Sequence, residues 1–277
     1  MDGLNVGLIG CGAIGGTLAR SIVEGDAGAT DLVAICDIDA DKVERLKGEL
    51  PLPSLFHTTD PEELIRREDV ELVIEAASQE TVHAVAERAL DAGKSILIMS
   101  VGALRDGDLH ARLEKSAREG GVKVYLPSGA ICGLDGVKGA SVGGLTSVEI
   151  VSTKHPRGLE GAPYLVENNI DLSGLTEPEV VFQGSAREAA RGFPKNVNVA
   201  VALSLAGIGV DHTVVTIVAD PSATRTLHEV RARGEFGELH TTVRNLVHPE
   251  NPKTSYLAAL SAIRTLRKLT EPIQVGT

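Results

Sequence analysis

The sequence has no run of basic residues, and it carries a net charge of −11 at pH 7 from 38 acidic and 27 basic side chains. Such a field repels the phosphates of nucleic acids and of anionic membrane surfaces, so neither is expected as a partner. No segment approaches the roughly 18 consecutive apolar residues that a membrane-crossing helix needs. Asp2 stands where a secretory leader would carry bases, and Gly10, Gly12, Gly15 and Gly16 interrupt the apolar stretch behind it, so no leader is expected. Cysteine is scarce. Cys11, Cys36 and Cys132 form no CxxC pair and no metal-ligand spacing, which argues against a disulfide framework and for a reducing, cytoplasmic setting. There is no HxxxH among the eight histidines, and with it goes the usual local signature of a metal site. No compositionally biased tract is present, so the chain is expected to fold throughout.

What is there points to two domains, since 277 residues exceed what one core usually serves. From residue 4 to about 127, short apolar runs alternate with helix-length amphipathic stretches, the pattern of parallel strands joined by crossover helices. It predicts strands over 4–9, 32–36, 54–57, 70–75, 95–99 and 122–126, with helices over 13–24, 39–48, 61–67, 79–92 and 106–119. Pro61 falls in a first helical turn. After Pro127 strands follow one another with little helix between, at 148–153, 214–219, 227–233 and 239–245, and a helix over 194–206 opens with Pro194. The fold class is therefore α/β: a Rossmann-type doubly wound parallel sheet, with a second α+β domain built on a mixed or antiparallel sheet. A last helix, 254–269, sets Leu257, Leu260, Ile263 and Leu266 along one face.

Gly10-Cys11-Gly12-Ala13-Ile14-Gly15 is a GxGxxG fingerprint placed directly after the first strand and at the mouth of a helix. The first glycine permits the tight turn, the second admits a pyrophosphate to the backbone, and the third lets helix and strand pack closely. Amides at the helix start then receive the phosphate charge. Asp37 ends the second strand, 22 residues after Gly15, where an acid accepts hydrogen bonds from the adenosine ribose. NAD is thus the expected cofactor, and a 2′-phosphate would meet that carboxylate unfavourably, although NADP stays open. The nicotinamide is expected past the C-terminal ends of the strands, where Ala77 and Ser78, and Ser100, Val101 and Gly102, let a flat ring approach the backbone. Residues 1–127 accordingly read as the dinucleotide-binding domain, with 246–277 packing back on it. Residues 128–245 read as a substrate-binding and dimerisation domain, because an antiparallel layer with one open face is economically covered by a twin.

Besides the glycine fingerprint, distinctive segments are Glu75-Ala76-Ala77-Ser78-Gln79, Ser100-Val101-Gly102-Ala103-Leu104, Pro127-Ser128-Gly129-Ala130-Ile131 and Gly184-Ser185-Ala186-Arg187-Glu188-Ala189. They continue through Phe193-Pro194-Lys195-Asn196-Val197-Asn198-Val199-Ala200, Val218-Ala219-Asp220-Pro221, Leu227-His228-Glu229-Val230 and Glu250-Asn251-Pro252-Lys253-Thr254-Ser255. In these segments, spread over nearly its whole length, the chain resembles the L-aspartate dehydrogenase family. The resemblance implies oxidation of L-aspartate by NAD or NADP to iminoaspartate, which hydrolyses to oxaloacetate and ammonia or feeds NAD biosynthesis. It also implies that Ala130 and Asn198 contact the cofactor and that His228 is catalytic. On the residues alone, a structural role for His228 and a helix-surface role for Asn198 stay open.

Amine dehydrogenation needs a proton-handling group and cations for carboxylates. Strand alternation puts Thr226, His228, Val230 and Ala232 on one face, and an ordinary imidazole exchanges protons near about pH 6.5. Lys195, beside Asn196 at a helix start, is the first candidate for a substrate carboxylate, with Lys154 and Arg225 behind it. Cys132 departs from the family, where a small non-thiol residue is expected, and it raises an aldehyde or semialdehyde dehydrogenase with a thiolate nucleophile as an alternative. Lys154-His155-Pro156 faintly matches a dihydrodipicolinate-type reductase, and a dinucleotide-sensing binding protein without catalysis would also fit the first domain.

Overall fold

The computed structural model describes residues 3–194 and 197–276, except the side chains of Pro252 and Lys253. Val6 to Ile9 are all buried, so β1 (Leu4–Ile9) is covered on both faces as parallel strands are. It is followed by α1 (Ala13–Val23), β2 (Thr30–Cys36), α2 (Ala40–Glu49), β3 (Phe56–Thr58), α3 (Pro61–Ile65), β4 (Leu72–Glu75), α4 (Gln79–Asp91), β5 (Ser95–Ile98), α5 (Gly107–Gly120) and β6 (Val124–Tyr125). The strands pair in parallel in the order β3-β2-β1-β4-β5-β6, a double winding whose order reverses between β1 and β4. Short acceptors start the helices. Asp39, Asp60, Ser78 and Asp106 each take a backbone N–H of the first turn, and Pro61 sits in the first turn of α3 as expected.

The second part of the chain holds α6 (Leu134–Val142), β7 (Leu145–Lys154), α7 (Pro163–Glu167), β8 (Glu179–Ser185), α8 (Ala186–Gly192), α9 (Asn198–Ala206), β9 (Val214–Ala219), β10 (Thr226–Gly234), β11 (Gly237–Asn245), β12 (Val247–His248), β13 (Asn251–Ser255) and α10 (Tyr256–Thr270). Its sheet has the order β11-β10-β7-β9-β8 and is mixed, because β7 and β9 run parallel while their other pairings are antiparallel. The inward face of β7, β9 and β10 presents Val148, Ile150, Val215, Ile217, Val230 and Ala232, all buried. Among the described residues no helix is long and apolar enough to cross a membrane.

Several elements differ from expectation. The helix expected over 194–206 begins at Asn198, so Pro194 lies ahead of it, after α8. α8 itself escaped pattern reading because it is only seven residues long, yet a capping box between Ser185 and Glu188 secures its start. β8 lost its alternation at a register shift between Val180 and Phe182, and Gly136 and Gly139 dilute the helical signal of α6.

The chain divides into two compact units. One runs to Pro127 and takes in Ala259–Gln274; the other runs from Ser128 to Ala258 and includes Val275 and Gly276. The return expected over 246–277 is thus confined to Ala259–Gln274. Its buried stripe is Ala259, Ala262, Ile263 and Leu266, an i, i+3, i+4, i+7 set, and Leu260 is exposed. A strict three-residue repeat drifts off one helix face, which is why the Leu257, Leu260, Ile263, Leu266 series was only half correct. Ala262, Ile263 and Leu266 join Leu8, Leu18 and Leu46 in the core of the first unit. Leu266→Ala should lower unfolding stability by about 2–5 kcal/mol, measured by urea denaturation followed by circular dichroism; an unchanged midpoint would refute this packing.

Candidate active site

The glycine turn is built so tightly that side chains are excluded. Gly10 has φ +107°, and a Cβ there would stand 2.5 Å from the Ala76 carbonyl oxygen. A Cβ on Gly15 would stand 1.8 Å from the Gly10 carbonyl oxygen, so α1 lies directly against the turn. Gly12 is the opposite case, with open space where its Cβ would be. Gly12 caps α1 without a side-chain hydrogen bond, and no acid lies in the first turn that follows, Ala13 and Ile14 included. Backbone amides at an uncapped helix start, approached through an open glycine, are what a diphosphate requires, so the residues fit a dinucleotide.

Asp37 is more committed than its position suggested. One carboxylate oxygen accepts from the Cys11 amide at 2.8 Å and the other from the Asp39 amide at 3.0 Å, while the Lys42 Nζ lies 3.9 Å away. Each oxygen retains a further lone pair for a ribose hydroxyl. Cys11 and Cys36 are buried, and desolvation first and the Asp37 charge second push both thiols up to about 12. They act as small apolar groups.

Past β4 and β5, Ala77 is exposed and the Ser78 hydroxyl accepts from the Thr81 amide to open α4, whereas Ser100, Val101 and Gly102 are buried. Ser100 is engaged by Glu75, which sequence reasoning placed in a motif but gave no role. The Glu75 carboxylate, wholly buried, accepts from the Ala77 amide at 2.8 Å, the Ser100 amide at 3.0 Å and the Ser100 hydroxyl at 2.9 Å. Burial raises its pKa, opposed by these hydrogen bonds. The available signal was an acid closing the apolar run of β4.

In the second unit, His228 on β10 stands opposite Ser152 on β7, and the Ser152 Oγ and His228 Nδ1 are 2.9 Å apart. Only 3% of His228 is exposed, and burial first, then the Lys154 charge, pull its pKa down to about 3. Lys154 lies two residues beyond Ser152 on the same face of β7. It is half-buried, and burial lowers its pKa to about 8. Asn245, at the end of β11 and on the same sheet face as His228, is buried, and its Nδ2 donates to the Ala130 carbonyl at 2.9 Å. Its Oδ1 has no hydrogen-bond partner among the described residues. Ser152 and Asn245 were both missed; each reads in sequence as an ordinary polar strand residue and is singled out only by the strand across from it.

His228, Lys154 and Ala130 are therefore gathered with these polar partners. Arg225 is exposed before β10, Asn198 is exposed in the first turn of α9, and Lys195 and Asn196 lie outside the described residues. Cys132 is exposed, with its carbonyl accepting from Thr241. Among the described residues no three His, Cys, Asp or Glu side chains come together as a metal site requires.

A switch-point turn of this construction belongs to the NAD-binding oxidoreductases, and residues 10–127 match the family described as homoserine dehydrogenase, NAD binding domain. Residues 135–269 match aspartate dehydrogenase, C-terminal. The chain belongs to the aspartate dehydrogenase family. It is 47% identical to the L-aspartate dehydrogenase of Methanosarcina mazei, over 99% of this chain and 100% of that one, and 40% identical to L-aspartate dehydrogenase 3 of Bordetella bronchiseptica, over 99% and 98%. The crystal structure of aspartate dehydrogenase from Thermotoga maritima superposes with a TM-score of 0.77 at 28% identity, covering 99% of both chains.

With Ser152 on Nδ1 and the ring desolvated, the His228 imidazole should remain neutral and in one tautomer across pH 5–8. In nitrogen-15 spectra its ring resonances should not move over that range; a titration midpoint near the ordinary value of about 6.5 would contradict the assignment.

Proposed function

We propose that this chain oxidises L-aspartate with NAD to iminoaspartate, which hydrolyses to oxaloacetate and ammonia or is passed on to NAD biosynthesis. The observation that carries the reading is the buried His228, held at Nδ1 by Ser152 with Lys154 on the same sheet face, in a chain of the aspartate dehydrogenase family. NAD, when bound, accepts the hydride from the substrate Cα. Gly10, Gly12, Ala13, Ile14 and Gly15 receive its diphosphate and Asp37 its adenosine ribose. Ala77, Ser78, Ser100, Val101, Gly102, Ala130 and Asn198 serve the remainder of the cofactor. Because Asp37 opposes a 2′-phosphate and Lys42 only partly offsets it, NADP is the weaker coenzyme.

The second unit supplies proton handling and substrate charge recognition. With Nδ1 engaged, the Nε2 of a neutral His228 is the nitrogen that exchanges a proton with the amine or with the water attacking the imine. Lys154, an ammonium below about pH 8, attracts a substrate carboxylate, and Lys195, Asn196 and Arg225 are further candidates for that role. The Asn245 Oδ1, a buried acceptor, is matched by an N–H of the substrate amine. Membership in this family favours neither a thiolate dehydrogenase at Cys132, nor a dihydrodipicolinate-type reductase, nor a non-catalytic sensor.

We further propose a homodimer in the cytoplasm. The outer face of the second sheet carries Val151, Thr153, Thr216 and Val218, half-buried, beside the exposed Val180 and Val214, which suits a second copy. The free thiols suit a reducing compartment.

L-Aspartate with NAD should produce absorbance at 340 nm, more efficiently than with NADP, and Cys132→Ala should leave it intact. His228→Ala should reduce kcat by about 10²–10⁴-fold with NADH binding retained, and Lys154→Met should chiefly raise the KM for aspartate. Unchanged turnover in His228→Ala would reject the catalytic role. In sedimentation velocity the protein should run as a dimer and Val218→Glu as a monomer; a monomeric wild type at micromolar concentration would dispose of the interface.

A further inference from the structure

A fully buried carboxylate is costly unless its acceptors are used, and Glu75 uses its acceptors in an unusual place. It ends β4, beside β1, where the strand order of the first sheet reverses. Its hydrogen bonds do not serve its own strand. They reach the Ala77 amide in the loop that enters α4, and the amide and hydroxyl of Ser100 in the loop that follows β5. The same stretch of chain backs the glycine turn: the Ala76 amide donates to the Ile9 carbonyl at 2.8 Å, and the Ala76 carbonyl is the atom that a Cβ on Gly10 would strike. None of the described contacts gives Glu75 a cationic partner, so its hydrogen bonds all come from neutral groups of the two loops.

We propose that Glu75 is a positioning residue for the nicotinamide end of the coenzyme: its carboxylate ties the loop after β4 to the loop after β5 and fixes the spacing at which the ring is received. The inference rests on the reading that Ala77, Ser78, Ser100 and Val101 face that end. The adenine end depends on a different element, the Asp37 carboxylate on the Cys11 amide, and does not pass through Glu75.

Chemistry supplies a sharp variant. In Glu75→Gln one oxygen becomes an amide NH2. If it takes the place of Oε1 it confronts the Ala77 N–H, and if it takes the place of Oε2 it confronts the Ser100 N–H. Either orientation leaves one backbone donor of one loop without its acceptor. The backbone bond from Ala76 to the Ile9 carbonyl, which backs the glycine turn, and the Cys11–Asp37 bond involve no side-chain atom of Glu75 and are kept.

The experiment compares NADH with ADP-ribose, which lacks the nicotinamide, by calorimetry on the full-length protein. For Glu75→Gln the affinity for NADH should fall about tenfold, while that for ADP-ribose stays within about twofold of wild type. Ser100→Ala removes only the hydroxyl bond and keeps both amides, so it should show the same selective loss at smaller size, and it serves if Glu75→Gln does not fold. Parallel losses for both ligands, or no loss for NADH in a folded variant, would overturn the proposal. Failure of wild type to bind either ligand would instead strike the dinucleotide reading beneath it, and equal binding of both by wild type would remove the nicotinamide contacts assumed here.

Discussion

The first unit turns on a hydrogen bond of 2.8 Å from the Cys11 amide to the Asp37 carboxylate. It bridges the ends of adjacent parallel strands and holds the glycine turn at the height of the β2 terminus, where the Gly10 amide also donates to the Cys36 carbonyl at 2.7 Å. With the turn so fixed, α1 starts at a defined point beside the open space at Gly12, and the acid that braces the turn stands where the proposed function brings a ribose. In the proposed site, support and recognition fall to the same carboxylate. A neutral residue at position 37 would weaken both, because a charged acceptor makes the stronger hydrogen bond to an amide.

The second unit solves a different problem with the same economy. Along the inner face of its sheet the residues grade from apolar to polar. On β7 the series is Val148, Ile150, Ser152, Lys154; on the antiparallel β10 it is Ala232, Val230, His228. The apolar end builds the core, and the polar end gathers an imidazole, a hydroxyl and an amine without leaving the strand frame. Strand pairing sets the Ser152–His228 contact, so the ring nitrogen is held by sheet register instead of by a loop. Burial holds the imidazole pKa down and the Lys154 charge depresses it further, which favours the uncharged histidine.

Legibility in the sequence followed periodicity. The parallel sheet was readable nearly to the residue at Leu4–Ile9, because a strand buried on both faces leaves an unbroken apolar run, and GxGxxG fixes the turn by stereochemistry that only glycine tolerates. His228 and its alternating neighbours were readable from the period of two along β10. What escaped depends on partners distant in sequence. Glu75 acquires meaning only from Ser100, Ser152 only from His228, and Asn245 only from Ala130, and no local pattern announces a contact across 25, 76 or 115 residues. β8 and α6 escaped for local reasons, a register shift in one and glycines in the other.

The helix that opens at Gly12 has no side chain to satisfy its first amides. Five helices of this chain carry their own side-chain cap, α2, α3, α4, α5 and α8, through Asp39, Asp60, Ser78, Asp106 and Ser185. α6, α7 and α9 lack one as α1 does, and in the proposed site it is the amides of α1 that take an anion brought from outside. Coenzyme occupancy and the integrity of the central strand-helix joint are therefore linked by mass action, and the melting temperature of the fold becomes a gauge of how much dinucleotide surrounds it.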